Sequence, residues 1–80
     1  MKNTATETDV IDIFGDNLNN MLSYRRMKPS ELARATGIQK STVSRLISKE
    51  CMPTLKTVMN ICYVLDCDFE DLIPSGIMII

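Results

Sequence analysis

The stretch "SELARATGIQKSTVSRLIS", residues 30–48, decides the fold. Pro29, immediately before it, suits the first turn of a helix, where its missing N–H has no intrahelical partner to lose. The helix it opens runs through Leu32, Ala33 and Thr36 and stops at Gly37, where a left-handed cap asks for glycine. A second helix follows from Gln39 or Lys40 to Ser48, with Ile38, Val43 and Leu46 as its apolar positions. Each is about two turns long, too short to persist in water alone. The rest of the chain must therefore hold both of them in place.

The flanking segments read as that support. On the N-terminal side, Ile11, Phe14, Leu18, Met21, Leu22 and Arg25 recur at spacings of three and four, predicting an amphipathic helix capped by Thr8 or Asp9 and ending near Arg26. On the C-terminal side, Thr54 is placed to cap a helix whose stripe is Leu55, Val58, Ile61, Cys62 and Leu65. Asp68 caps a short fifth helix through Phe69, Leu72 and Ile73, ended by Pro74 and Gly76. No β-hairpin signal, internal repeat or low-complexity segment interrupts this pattern. The expectation is an all-α fold: a flexible tail over 1–8, one domain over 9–74 and an apolar tail over 75–80 that carries Ile77, Met78, Ile79 and Ile80.

Composition narrows the classes of function. Eighty residues make one domain. With 45% hydrophobic residues, 5% aromatic, no Trp and six Met, the core is aliphatic and small, and the stability it can supply is modest. The three cysteines, Cys51, Cys62 and Cys67, are odd in number and lack CxxC spacing, and there is no histidine. Neither a disulfide framework nor a metal site is expected, and the cysteines read as reduced thiols of a cytoplasmic protein. No signal peptide and no membrane-spanning run is legible. Without histidine, a glycine-rich loop or a nucleophile paired with a base, an enzyme has no support, and neither a cofactor nor a small-molecule ligand is expected.

The net charge of −1 argues, taken whole, against a polyanion partner. Its distribution argues the opposite. Residues 1–20 set Lys2 against Glu7, Asp9, Asp12 and Asp16, and residues 57–80 carry Asp66, Asp68, Glu70 and Asp71 with no cation. Between them Arg25, Arg26, Lys28, Arg34, Lys40, Arg45, Lys49 and Lys56 face only Glu31 and Glu50. A cationic centre between acidic ends makes a one-sided field, felt within about 8–10 Å at ordinary salt.

That block coincides with the two short helices. A tight turn at Gly37, with Ala33 small enough for close crossing, lets the second helix project steeply from the first, as in a helix-turn-helix whose second helix enters the DNA major groove. Its outward side, Gln39, Lys40, Ser41, Ser44, Arg45 and Ser48, consists of residues that can each donate a hydrogen bond.

Residues 14–73 resemble the phage-repressor-like (Cro/cI, or XRE) helix-turn-helix family. The resemblance rests on "ELARATGIQKSTVSRL", on "MPTLKTVMNICYVLD" in the place of the helix after the recognition helix, and on "DFEDLI" in the place of the closing helix. It implies a five-helix lambda-repressor-like DNA-binding domain, and the segment "ICYVLDCDFEDLI" is similar to the ending of small, stand-alone members. It further implies that Lys40, Ser41, Ser44 and Arg45 meet base edges of double-stranded DNA. Backbone phosphates would fall to Lys28, Gln39, Thr42, Ser48 and Lys49. The chemistry agrees, since Arg and Lys read guanine O6 and N7 and serines are short, permissive donors. Arg25, Arg26 and Lys56 read as general surface charge.

Two departures from the family pattern matter. Many members open the second helix with Thr-Gln, whose amide holds a phosphate; here the pair is Lys28-Pro29, so a point charge replaces the amide. Many members also pair an arginine of the first helix with a glutamate of the third. Leu22 and Ile47 stand at those positions, an exchange that leaves no unpaired buried charge.

The leading expectation is a transcriptional regulator, most simply a repressor, acting as a homodimer on half-sites about one helical turn apart. Helix five and the tail Ile77 to Ile80 are the expected pairing surface, with a tail folded back on its own core, or simply disordered, as the other possibility. The alternative class is a helix-turn-helix-derived protein-interaction module, such as an antitoxin, anti-repressor or adaptor, with little DNA affinity.

Overall fold

Apolar periodicity becomes five helices in the expected order. The computed structural model describes residues 4–5, 7–74 and 78–79, with side chains over 9–74. The helices are α1 (Glu7–Tyr24), α2 (Pro29–Thr36), α3 (Lys40–Ile47), α4 (Leu55–Leu65) and α5 (Phe69–Leu72). Two residues at each end of the chain, β1 (Thr4–Ala5) and β2 (Met78–Ile79), pair in parallel, Thr4 opposite Met78 and Ala5 opposite Ile79. Of the expected N-terminal tail, the described part is thus a short strand and the first turn of α1. The remainder of both expected tails lies outside the described residues.

One contiguous core holds the bundle. Phe14, Leu18 and Leu22 from α1 meet Leu32 and Ala33 from α2, Val43 and Leu46 from α3, Val58, Ile61 and Leu65 from α4, and Leu72 from α5. Burying a side chain of this size contributes about 1.5–3 kcal/mol, so each short helix is fastened mainly by its one or two buried residues. Among the described residues no polar or charged side chain is buried.

Two parts of the helical stripes fall differently from their spacing. In α1 the first buried residue is Val10, with Ile11 half-buried and Arg25 exposed. In α4 the expected Leu55 is 64% exposed. The stripe Val58, Ile61 and Leu65 already fills the space against α2 and α5, and Leu55 lies at the first turn, ahead of that contact.

Caps set the helix limits. The Thr54 hydroxyl accepts from Thr57 N at 3.1 Å, as a threonine N-cap should. Asp68 N donates to Asp71 Oδ2 at 2.9 Å and Lys28 N to Glu31 Oε1 at 2.7 Å, the return half of a capping box in each case. Lysine carries no acceptor, so α2 has only that half. Three helices end in a 6→1 bond closed around a non-glycine residue in the left-handed region: Arg26 (φ 55°), Lys49 (φ 64°) and Asp66 (φ 54°). The bonds run from Met27 N to Leu22 O, from Glu50 N to Arg45 O and from Cys67 N to Cys62 O. A Cβ in that conformation costs roughly 1–2 kcal/mol.

Two asparagine amides tie elements that are distant in sequence. Asn17 Nδ2 donates to Leu72 O at 2.9 Å, fastening the end of α5 to α1. Asn60 Nδ2 donates to Thr36 O at 2.9 Å, fastening α4 to the end of α2. Cys62 and Cys67 lie near each other at the end of α4. Desolvation raises both thiols, Cys67 to about 12, so both remain protonated and poorly nucleophilic at neutral pH.

Two substitutions test these backbone requirements. Arg26→Gly relieves the left-handed strain, with an expected gain of about 1 kcal/mol, or roughly 4–8 °C in Tm by thermal unfolding. Gly15→Ala does the reverse: an added Cβ would stand 2.8 Å from Lys49 Cγ and 3.0 Å from the Leu46 carbonyl. Despite alanine's better helix propensity, a loss of about 1–3 kcal/mol in urea denaturation is expected; a gain in stability would show that α3 can retreat from α1 at no cost.

Candidate nucleic-acid interface

The turn between α2 and α3 comes first, because it aims α3. Gly37 takes φ 78° and its N–H bonds Ala33 O at 2.9 Å, closing α2. The Thr36 hydroxyl donates to Leu32 O at 2.8 Å and accepts from Ile38 N at 3.2 Å, bridging the last turn of α2 to the first residue beyond the glycine. The Thr36 carbonyl receives the Asn60 amide from α4. Three residues of short reach therefore fix the direction in which the chain leaves α2.

From there α3 sorts its side chains by face. Val43 and Leu46 are fully buried and Ile47 half-buried against the core. Lys40, Ser41, Ser44 and Arg45 are exposed, as are the caps Gln39 and Ser48. Gln39 caps through its backbone, its carbonyl accepting from Thr42 N at 3.0 Å and Val43 N at 3.1 Å, while its side chain makes no capping bond. From Lys40 to Arg45 the helix rises about 7.5 Å, comparable with two base-pair steps of about 3.4 Å. All four residues expected to face bases thus share one solvent-facing side.

The residues expected at phosphates are more scattered. Lys28 is exposed at the start of α2, Thr42 is half-buried beside Val43, and Ser48 and Lys49 close α3. Lys49 is engaged within the chain: its Nζ lies 2.7 Å from Asp16 Oδ1 on α1. That hydrogen bond is the main cause raising Lys49 above the ordinary lysine value; partial desolvation opposes it, and the charges of Asp16 and Asp12 add to it. Gly15 permits this arrangement, since the Lys49 stem passes where a larger residue's Cβ would be.

Two participants were not among the expected contacts. Arg34, on α2, lines with Ser30, Ala33, Ile38 and Lys40 a groove of about 380 Å³ between α2 and the start of α3. It thereby joins a second cation to Lys40. By sequence Asp16 belongs only to an acidic end, because the pairing with Lys49 crosses 33 residues and nothing local announces it. A convex, donor-rich helix flanked by cations suits the acceptor-lined major groove of a duplex. Among the described residues no cluster of histidine, cysteine or carboxylate side chains could hold a metal ion. Among them, too, no helix is long and apolar enough to cross a membrane.

A family model described as the Cro/C1-type HTH DNA-binding domain matches residues 17–74. No curated protein and no solved structure matches the chain. The matched span runs from the middle of α1 past the end of α5 and so contains the turn, α3 and the α4 support in their expected order. With that span covering well over half of its residues, the chain belongs to the Cro/C1-type helix-turn-helix family of DNA-binding domains.

Proposed function

We propose that the protein is a sequence-specific transcriptional regulator in the cytoplasm, acting as a repressor that occludes a promoter. Its unit of binding is the domain over 9–74, with α3 lying in the major groove. Lys40, Ser41, Ser44 and Arg45 read base edges; Lys28, Gln39, Thr42, Ser48 and Lys49 hold phosphates. Two copies bind a pseudo-palindromic site with half-sites about one helical turn apart. The observation that carries this reading is the division of α3, with Val43 and Leu46 wholly inside and Lys40, Ser41, Ser44 and Arg45 exposed. A helix used only as support would have no need of so uniform a donor face.

Selection of bound sequences from a random duplex pool tests it directly. Enrichment of a two-fold related motif is expected, and a pool that emerges without any preference would defeat the proposal. On the selected site, Arg45→Ala should relax the preference at one base position and cost about 1–3 kcal/mol, measured by fluorescence anisotropy.

The ion pair at the end of α3 gives a further expectation. Lys49 can hold a phosphate only by leaving Asp16 or sharing itself with it. Asp16→Asn should therefore tighten binding to nonspecific duplex and steepen the slope of log K against log salt by about 0.9. A weaker or unchanged affinity between about 50 and 200 mM salt would mean that Asp16 positions Lys49 rather than competing for it.

A further inference from the structure

An exposed apolar stripe lies away from α3. Leu55, Met59 and Tyr63, at spacings of four along α4, are 64%, 58% and 87% exposed. Apart from Lys56, they are the exposed residues of that helix. Such a stripe on a small chain calls for a cover. Among the described residues of the C-terminus none supplies it, because Met78 and Ile79 pair with Thr4 and Ala5 beside α1. The opposite side of α4 is taken by α2 and α5, and α3 packs against α1 and α2 instead.

We propose that the Leu55, Met59 and Tyr63 face of α4 is the surface on which a second copy of this chain docks, α4 against α4′ in antiparallel two-fold contact. It names the surface of the homodimer proposed above and rests on that reading only for its purpose. Three arguments select a second copy. The face carries no charge at its centre, so it needs no partner of opposite sign. Its ends differ: Lys56 lies in the first turn and Asp66 caps the last, and the antiparallel arrangement sets each lysine end alongside the other copy's aspartate end. Finally, about 11 residues of helix turn the stripe into a self-complementary ridge, Met59 meeting its symmetry mate while Leu55 meets Tyr63 of the other copy.

The area sets the strength. Three side chains of this size and exposure remove on the order of 400 Å² per protomer, or ~800 Å² in all, below the ~1,200 Å² of stable assemblies. The free dimer is accordingly weak, and adjacent half-sites on one duplex raise the effective concentration enough to complete it. This differs from the expected surface, helix five with the tail: Phe69 on α5 is 41% exposed and Met78 and Ile79 are already paired.

Sedimentation of the full chain without DNA, from about 1 μM to about 1 mM, separates this from the DNA-binding reading. A monomer–dimer equilibrium is expected in that range, and Met59→Lys should weaken it by at least about tenfold. Because Met59 is exposed, circular dichroism and Tm should stay at wild-type values; Tyr63→Lys repeats the test should that variant fold poorly. Three results would overturn the proposal: a wild-type chain that stays monomeric throughout, a dimer indifferent to both variants, or a dimer lost in Phe69→Lys and retained in Met59→Lys.

Discussion

The direction of α3 depends on a few backbone hydrogen bonds at the α2–α3 turn. Gly37 can reverse the chain because it has no Cβ to oppose φ 78°, but a glycine by itself permits many exits. Thr36 selects one by bonding back to Leu32 and forward to Ile38. Asn60 then makes that exit a property of the whole bundle by holding the Thr36 carbonyl from α4. Core packing of Val43 and Leu46 supplies most of the free energy that keeps α3 folded. The turn supplies little energy and most of the angle. For the base-reading surface we propose, angle matters more than another kilocalorie.

A similar division of labour holds at the other end of α3. Gly15 weakens α1 in its middle, where alanine would be the better helix former by about 1 kcal/mol. In exchange, α1 and the end of α3 approach closely enough for Lys49 to reach Asp16. The acidic N-terminal segment is therefore part of the same surface as the cationic centre. Charge summed along the chain describes a basic block between acidic ends, whereas the folded surface interleaves the two at the C-terminus of α3.

Much of this was legible before any coordinates. Pro29, Gly37, Thr54 and Asp68 act on the residues beside them, so their positions announce helix ends without reference to the rest of the fold. The exposed set on α3 was legible too, because a helix with two buried positions three apart has only one opposite side. Where spacing failed, the reason was tertiary. Leu55 fits the α4 period as well as Val58 does, and it is outside because the neighbouring helices cover only part of that face. In α1, Val10 and Ile11 are adjacent apolar residues, and only the rotation of the helix against its partners decides that Val10 goes in.

Local chemistry thus determined the number of helices, most of their limits though not the start of α1 at Glu7, ahead of the expected cap at Thr8 or Asp9, the class of fold and which residues of α3 would face outward. Those properties follow from backbone geometry and amphipathic period, which act within a few residues. The tertiary structure decided the angle of α3, the capture of Lys49 by Asp16, the joining of Arg34 to Lys40 and the bare face of α4. Each of these depends on which surfaces happen to meet across tens of residues, and a one-dimensional pattern carries no term for that meeting.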